Sequence, residues 1–299
     1  MKKSDWIWFD GKMVPWQDAT THVLSHSLHY GGGAFEGIRF YKTERGSAIF
    51  RLKEHVERLL YSCKTIGLNL PYSQEELESS IKETVSKNVL TQGYIRPLAF
   101  LGLGDLRVAA KNSPLHLIIA CWPLGHYLAA EYVDVKISDF IRIHPQSTVT
   151  DAKLCGHYVN SIMAGLAIAN TKYHESLLLD FEGNIAEGPG ENFFCVVDGI
   201  FKTPALGKIL AGITRATIIE IINDLGFTCE EVALSLDDAL QAEEAFFTGT
   251  AAEVTPIRSL NDSVYGNGAI GTLTQPIRKV YFDAIMGRND AYEHYLSYI

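Results

Sequence analysis

Three short segments of the sequence place small residues beside a hydroxyl or a carboxylate. These amide-rich segments, as we call them, are residues 187–192, 212–215 and 249–253. In the second segment, Gly212 precedes an apolar run at helical spacing, so the amides of Ile213 and Thr214 are unpaired donors at the start of a helix. The helix dipole suits such a position to a phosphate, although a threonine there is more often a simple helix cap. Both interpretations stay open at this point.

The other two segments and one lysine offer further reactive groups. The run from Gly249 to Ala252 follows a predicted buried strand, so its amides suit a carboxylate or another anion, with a tight turn as the alternative. Lys153 supplies a nucleophilic amine, and Tyr158 follows it closely. A lysine is ordinarily a solvated surface group. Its combination with Glu187 and the amide-rich segments makes Lys153 a candidate catalytic residue.

Other catalytic motifs are absent from the sequence. Residues 102–107 contain two glycines but lack the third glycine of a dinucleotide fingerprint, and neither a P-loop nor a GxSxG elbow occurs. His22, His26 and His29 are closely spaced, but no carboxylate or cysteine at ligand spacing completes a metal site. We therefore predict no metal ion and expect these histidines to orient the backbone near a loop.

The composition is that of an ordinary globular protein. The chain has 299 residues, of which 47% are hydrophobic and 20% charged, and this length predicts about two domains. A formal net charge of −9 without a basic run disfavours binding to nucleic acid or to an anionic membrane surface. The five cysteines are scattered, so we expect a reducing compartment, the cytoplasm. We also predict that the chain has no secretory signal and no membrane-spanning segment.

The predicted strands and helices fall into two halves of the chain. In the first half, the residue pattern predicts a hairpin around residues 10–11, helices over 52–66 and 73–87, and strands over 94–102 and 115–122. The second half predicts helices over 159–169, 214–225 and 274–286, with strands near 133 and over 176–180, 193–197, 200–201 and 244–247. We therefore predict an α/β fold with a smaller N-terminal domain, 1–123, a linker, 124–130, and a larger C-terminal domain, 131–299.

Several blocks of the sequence match, in order, the motifs of one enzyme family. The most specific blocks are residues 29–31, 35–39, 94–97, 187–192 and 212–215. On these blocks the chain resembles the branched-chain amino acid aminotransferases, which are fold type IV enzymes that depend on pyridoxal 5′-phosphate. The resemblance covers nearly the whole chain, from Trp8 to Pro256. It implies a two-domain α/β fold similar to D-amino acid aminotransferase, with the cofactor at the domain interface and bound by the C-terminal domain.

The resemblance also implies roles for particular residues. Lys153 matches the lysine that bonds to the cofactor and moves a proton between the cofactor and the substrate Cα. Glu187 matches the carboxylate that pairs with the pyridine nitrogen, and Tyr158 matches the phenol that bonds to the 3′ oxygen. The residues that match the phosphate-binding set are Arg58, Ile213, Thr214 and Thr250.

The matching substrate positions combine aromatic and cationic side chains. They are Tyr30, Phe35, Tyr94, Arg96, Tyr127, Thr250 and Ala251. Thr250 and Ala251 match the positions that hold the α-carboxylate, while Arg96 and the tyrosines suit the γ-carboxylate of glutamate. The sequence departs from the family pattern at Leu124, where some members have an aromatic residue, and at Arg107, where a small residue is common. These departures leave the preference among branched side chains open.

The activity that the resemblance implies is amino-group transfer from L-leucine, L-isoleucine or L-valine to 2-oxoglutarate, giving branched 2-oxo acids and L-glutamate. The same fold serves D-amino acid aminotransferases, R-selective amine transaminases and aminodeoxychorismate lyase, and the blocks 35–39 and 94–96 favour the branched-chain activity. A protein that only binds a phosphorylated small molecule is a further alternative. Such a protein would not need Lys153, Tyr158 and Glu187 together.

The resemblance also implies a homodimer. In the family a loop of one subunit reaches the site of the other, and we expect residues 102–107 to be that loop. Arg107 would then add a positive charge that a dicarboxylate substrate can use. The alternative is that Arg107 pairs with an acidic residue such as Asp105 and touches no substrate. The sequence leaves open whether dimers assemble into a higher homo-oligomer.

Overall fold

The computed structural model describes residues 3–110, 112–125 and 131–299. The described residues of Met1–Gly125, Ala152–Gly156 and Ala284–Ile299 form one compact unit, and those of His126–Asp151 and His157–Asp283 form a second. The first unit therefore includes two segments from the second half of the chain. Most of the predicted linker lies outside the described residues, and the predicted domain boundaries stay a prediction.

Strands and helices are mixed along the chain, as the α/β prediction requires. The strands are β1 (Trp6–Phe9), β2 (Lys12–Pro15), β3 (Gly33–Phe35), β4 (Ile38–Thr43), β5 (Gly46–Phe50), β6 (Gly93–Leu101), β7 (Leu115–Trp122), β8 (Val133–Ile137), β9 (Glu175–Leu177), β10 (Asn192–Val197), β11 (Ile200–Pro204), β12 (Cys229–Val232), β13 (Glu244–Gly249), β14 (Glu253–Leu260), β15 (Ser263–Val264) and β16 (Leu296–Tyr298). The α-helices are α1 (His26–Tyr30), α2 (Leu52–Thr65), α3 (Gln74–Lys87), α4 (Tyr158–Ile168), α5 (Ile213–Asp224), α6 (Leu236–Gln241) and α7 (Thr274–Ile285). Short 3-10 helices cover Trp16–Asp18, Cys155–His157 and Asp290–Tyr295.

The first unit is built on an antiparallel sheet with the strand order β16-β5-β4-β6-β7-β1-β2, and β3 pairs with β6 off this path. Helix α2 contributes Leu52, Val56, Leu59 and Cys63 to the core beside this sheet. Their spacing is that of one helix face, and it confirms the helix predicted from the sequence. Gly67 follows with a φ of 75°, the left-handed conformation that commonly ends a helix.

Helix α3 begins at a capping box. The Ser73 hydroxyl accepts a hydrogen bond from the Glu76 amide at 3.2 Å, and the Glu76 carboxylate accepts one from the Ser73 amide at 2.7 Å. These bonds satisfy two amides that a helix start leaves unpaired. Leu77, Ile81 and Val85 then pack into the same core as α2. The predicted start at Ser73 is confirmed.

The second unit is built on a mixed sheet with the strand order β12-β11-β10-β13-β14-β8-β9, and β15 pairs with β14. The central strands β10 and β13 are antiparallel and almost wholly buried, and Asn192 lies opposite Thr248 in their register. Because β10 starts where β13 ends, residues 187–192 and 249–253 lie at the same edge of this sheet. Two of the three amide-rich segments are therefore neighbours.

Strand β9 is shorter than the strand that the sequence predicts over 176–180. Instead of continuing the ladder, Leu178 donates its amide to the Glu187 carbonyl at 3.0 Å, and Asp180 donates to the Asn184 carbonyl at 2.7 Å. These bonds form a turn that brings the chain back toward β10. In the described part of the chain, no helix has the length and apolar character needed to cross a bilayer.

Candidate active site

Lys153 belongs to the first unit, where its backbone is bonded on both sides. Its amide donates to the Ser62 hydroxyl at 2.9 Å, and its carbonyl accepts from the Phe35 amide at 3.2 Å. Leu154 forms an isolated bridge with Ala34, the central residue of β3. The Nζ atom of Lys153 lies 5.2 Å from the centroid of the Phe35 ring. The first unit therefore orients the amine that the sequence singles out.

Arg58, on α2, is held by a buried carboxylate. Its Nε and Nη2 atoms donate to the two carboxylate oxygens of Glu36 at 2.6 and 2.9 Å. Nδ1 of His55 lies 2.7 Å from Oε2 of the same carboxylate, and both His55 and Glu36 are buried. Burial alone would raise the pKa of Glu36, but Arg58 and His55 outweigh it and hold that pKa well below its usual range. Burial lowers the pKa of His55.

Two aromatic candidates of the first unit, Phe35 and Tyr94, lie against Arg96. Its guanidinium carbon lies 4.6 Å from the Phe35 ring centroid and 5.6 Å from that of Tyr94. In the described part of the chain, the buried Nε of Arg96 has no hydrogen-bond partner. Gly37 makes room for Tyr94, because a Cβ at Gly37 would lie 1.8 Å from the Tyr94 hydroxyl. This group combines apolar faces with one cation, as the predicted substrate pocket requires.

Tyr30 is half-exposed, and it supports the loop that contains Arg107. Its hydroxyl donates to the Leu106 carbonyl at 2.9 Å. Tyr127, the remaining predicted substrate residue, lies outside the described residues. Tyr30 is therefore placed beside the loop by its hydrogen bond, whereas the role of Tyr127 stays a prediction.

Arg107 is paired within its own loop. Its Nε and Nη2 atoms bond to the Asp105 carboxylate at 2.6 to 3.0 Å, and its side chain is 74% exposed. The hydrogen bond to Asp105 raises the pKa of Arg107. Within the chain, Arg107 therefore adopts the alternative arrangement, in which it pairs with Asp105.

The closely spaced histidines bond to backbone groups. Nε2 of His26 lies 3.1 and 3.2 Å from the carbonyls of Arg107 and Val108, and His29 contacts the Val23 carbonyl. The Leu24 amide donates to Nδ1 of His22. Among the described residues there is no cluster of side chains suited to hold a metal ion. The expectation that these histidines orient a loop is confirmed.

Glu187 lies in the second unit and accepts hydrogen bonds at both carboxylate oxygens. Arg142 donates through Nε to Oε1, while the side chain of Asn192 and the amide of Leu210 donate to Oε2 at 3.1 and 3.0 Å. The Glu187 side chain is only 7% exposed. Arg142 carries no recognisable sequence signal, because it lies in an irregular segment far along the chain from its partner. Sequence reasoning missed it.

The start of α5 lies directly beside this carboxylate. Asn192, which donates to Glu187, also approaches Gly212 so closely that a Cβ there would lie 1.9 Å from the Asn192 Oδ1. Gly212 is the N-cap of α5, and no side chain caps the helix. Thr214 is buried in the first turn, and Ile213 is half-buried. The amides of this turn therefore keep the anion-binding character that the sequence predicts.

The segment after β13 packs on the loop between Glu187 and β10. A Cβ at Gly249 would lie 3.2 Å from the Gly190 carbonyl, so the two loops are in close contact. Thr250 and Ala251 are half-buried at this edge, and Tyr158, also half-buried, begins α4. The second unit thus brings the three amide-rich segments together. The remaining predicted residues that the structure describes, Lys153 among them, lie in the first unit.

Comparison with known proteins gives the family. The family described as "Amino-transferase class IV" matches residues 33–260. The branched-chain-amino-acid aminotransferase of Pseudomonas aeruginosa is 41% identical over 98% of this chain and 97% of its own length. That of Escherichia coli K12 is 40% identical over 97% of this chain and 96% of its own length.

Solved structures agree with these matches. The crystal structure of the Escherichia coli branched-chain amino acid aminotransferase has a TM-score of 0.96 at 39% identity and covers 99% of both chains. The T.th. branched-chain amino acid aminotransferase, in complex with N-(5′-phosphopyridoxyl)-L-glutamate, has a TM-score of 0.96 at 42% identity and covers 100% of this chain and 99% of its own.

The chain therefore belongs to the class IV aminotransferases, with the fold type IV architecture. The matched relatives span nearly its whole length, and within this family it is a member of the branched-chain-amino-acid aminotransferases. The resemblance drawn from the sequence blocks is confirmed.

Proposed function

We propose that this chain transfers the amino group of L-leucine, L-isoleucine or L-valine to 2-oxoglutarate, with pyridoxal 5′-phosphate as its cofactor. The products are the branched 2-oxo acids and L-glutamate. Relatives that are about 40% identical over almost the whole chain are named branched-chain-amino-acid aminotransferase. The structure of the T.th. relative has been solved with pyridoxamine 5′-phosphate. Within the chain, the observation that carries the proposal is the backbone of Lys153, bonded on both sides beside Phe35.

The residues of the chain fit this cofactor in chemical type. The uncapped first turn of α5 suits a phosphate, and the buried Glu187 carboxylate suits a protonated ring nitrogen. Thr248, in the same unit, has a buried hydroxyl without a partner among the described residues. When bound, the cofactor supplies an aldehyde and a ring that accepts the electrons released at the substrate Cα.

Each predicted residue then has one task. Lys153 would hold the cofactor through its amine and would move the proton between the substrate Cα and the aldehyde carbon of the cofactor. Glu187 would pair with the protonated ring nitrogen, and Tyr158 would donate to the ring oxygen. The residues that hold the phosphate are Arg58, Ile213, Thr214 and Thr250. Arg58 performs this task from the position that Glu36 imposes on it.

The substrate residues divide between recognition of charge and of apolar surface. The backbone at Thr250 and Ala251 holds the α-carboxylate. Phe35 and Tyr94 offer ring faces to a branched side chain, and Arg96 between them binds the second carboxylate of glutamate or 2-oxoglutarate. Tyr30 and Tyr127 complete the proposed pocket. Two substrates of different polarity are thereby accepted at one site.

A homodimer is part of the proposal, and exposed apolar side chains in each unit support it. On α4 they are Val159, Ile162, Met163 and Leu166, which share one helix face. In the first unit they are Val23, Leu24, Leu28, Leu103, Leu106 and Val108. Exposed patches of this kind are typical of protein interfaces, and a second copy of the chain would cover them. Light scattering is expected to give twice the chain mass of 33.2 kDa; an active monomer would contradict the dimer.

We place the protein in the cytoplasm on the basis of its thiols. All five cysteines are free, and three of them, Cys63, Cys121 and Cys195, are buried with a pKa raised to about 12 by burial. A reducing compartment keeps such thiols in this state.

The activity is tested by incubating the purified protein, supplied with pyridoxal 5′-phosphate, with 2-oxoglutarate and either L-leucine or a D-amino acid. Glutamate is expected from L-leucine, L-isoleucine and L-valine. Lys153→Ala serves as the control and is expected to abolish turnover, because it removes both the covalent anchor and the proton carrier. Glutamate formed only from D-alanine, or pyruvate released from aminodeoxychorismate, would overturn the proposal in favour of another activity of the fold.

A further inference from the structure

One face of helix α2 carries buried polar residues. His55, Arg58 and Ser62 are spaced by three and four residues, so they share a face. His55 is 2% exposed and Ser62 is fully buried. Buried polar groups are costly unless they are hydrogen-bonded. Each of these polar side chains is therefore expected to have a hydrogen-bond partner.

His55 and Arg58 share one partner, the buried carboxylate of Glu36. Glu36 directly follows Phe35, the residue whose amide bonds to the Lys153 carbonyl. The polar face of α2 is thus bonded to the segment that supports one side of Lys153. Burial lowers the pKa of His55, and the charges of Arg58 and Lys153 act in the same direction against the Glu36 carboxylate. The amine of Lys153 is therefore within electrostatic range of this group.

The third polar residue on this face, Ser62, bonds directly to Lys153. Within the described part of the chain, the one hydrogen bond of its hydroxyl is the bond that it accepts from the Lys153 amide, at 2.9 Å. An isolated buried hydroxyl does not improve helix packing, and in a helix interior serine is less favourable than alanine. The position is explained by the Lys153 amide, to which the Ser62 hydroxyl offers an acceptor.

We infer that Ser62 is a positioning residue for Lys153. The hydroxyl fixes the Lys153 peptide to α2, while the Phe35 amide fixes it to β3, so the two bonds together determine where the lysine chain begins. This inference rests on the proposed function only in giving Lys153 its catalytic role. Loss of Ser62 should impair the step that uses the lysine amine and leave substrate binding nearly unchanged.

The test compares Ser62→Ala with a matched control, Thr84→Val. Thr84 is also fully buried in the first unit, on α3, but its hydroxyl bonds to the Ser80 carbonyl of its own helix. Both substitutions remove one buried hydroxyl at nearly constant volume. Ser62→Cys is included because it keeps a weak acceptor, and it carries the test if Ser62→Ala does not fold.

The first measurement is hydrogen–deuterium exchange at the Lys153 amide, read by mass spectrometry on the holoenzyme. Exchange is expected to be about fivefold faster in Ser62→Ala, less so in Ser62→Cys, and unchanged in Thr84→Val. The second is steady-state kinetics with L-leucine. We expect kcat to fall about tenfold in Ser62→Ala with KM changed less than about twofold.

The outcomes separate this inference from the proposed function. The wild-type protein could show no transamination while the Lys153 amide still exchanges faster in Ser62→Ala than in the wild type. In that case the proposed function is wrong, but the hydrogen bond between Ser62 and Lys153 is supported. If the wild-type protein is active and Ser62→Ala matches Thr84→Val in both measurements, the positioning role is wrong. A rise in KM without loss of kcat would also overturn it, because Ser62 would then act on substrate binding.

Discussion

Arg142 and Glu187 form a buried ion pair in the second unit, in which Nε of Arg142 donates to Oε1 of Glu187. Their side chains are only 12% and 7% exposed. Asn192 and the Leu210 amide complete the bonding of the same carboxylate at Oε2. These bonds therefore hold the Glu187 carboxylate in one orientation, as its proposed role beside a ring nitrogen requires.

Breaking this pair on one side should be costly. Arg142→Met leaves a buried carboxylate without its cation, and we expect it to lower the free energy of unfolding by about 3 kcal/mol. Glu187→Gln should also destabilise the protein, whereas the double variant should cost less than the sum of the two, by at least about 1 kcal/mol. Urea unfolding of the three variants measures this coupling.

The matched control for that cycle is Lys172→Met. Lys172 pairs with Asp262 at 2.8 Å, but the two side chains are 68% and 87% exposed. Solvent screens such a pair, so its loss should not change the unfolding midpoint measurably. Simple additivity of the Arg142 and Glu187 substitutions would show that the two side chains do not support each other.

Glu36 should make the stability of the protein sensitive to acid. Its pKa is lower in the folded chain than its ordinary value of 4.5, so the ionised carboxylate contributes stability above that value and loses it as the pH falls toward the folded pKa. Glu36→Gln should therefore destabilise the protein most at neutral pH. Between about pH 7 and about pH 4, the difference from the wild type should shrink by roughly 1 kcal/mol.

Glu57→Gln is the control for the Glu36 measurement, because Glu57 is exposed on α2, the helix that carries His55 and Arg58, and lies 3.9 Å from Lys53. It tests whether loss of one negative charge on α2 is sufficient to produce the effect. A Glu36→Gln difference that stays constant with pH would contradict the assignment of the buried cluster.

Arg107→Ala should leave the kinetics with both substrates unchanged. In the chain the guanidinium is bonded to Asp105 and the side chain is largely exposed, so its charge is already matched locally. KM for L-leucine and for 2-oxoglutarate are to be measured separately in the variant. A selective rise in KM for 2-oxoglutarate would show instead that Arg107 serves the dicarboxylate substrate in the proposed dimer.

Val89 should be a site where substitution stabilises the protein. It follows the C-cap of α3 with a φ of 53° and is 86% exposed. A β-branched residue is strained in this left-handed conformation, where glycine or asparagine is favoured. Val89→Gly and Val89→Asn should raise the free energy of unfolding by about 1 kcal/mol.

Val89→Ala provides the comparison for this prediction. It removes the branched side chain but keeps the Cβ, so it should gain less than Val89→Gly if the backbone conformation is the cause. The urea midpoint of each variant decides the order. An equal gain from alanine and glycine would attribute the effect to the exposed apolar side chain.

Local sequence patterns were sufficient for the elements that depend on neighbouring residues. Helix α2 follows from its apolar spacing, α3 from the Ser73 cap, and the amide-rich start of α5 from Gly212 before an apolar run. The segment from β3 to β5 was not predicted, because its strands are buried by pairing with distant strands such as β6. The pairing energy comes from partners that periodicity does not identify.

Motif blocks such as residues 35–39 and 212–215 were sufficient to identify the family, and with it the candidate lysine and carboxylate. The groups that support these two side chains are known only from the folded chain. Ser62 lies 91 positions from Lys153 and Arg142 lies 45 from Glu187, separations at which no local pattern relates two residues. Such contacts form when packing of the apolar core fixes the backbone, and buried polar groups must then find partners within reach.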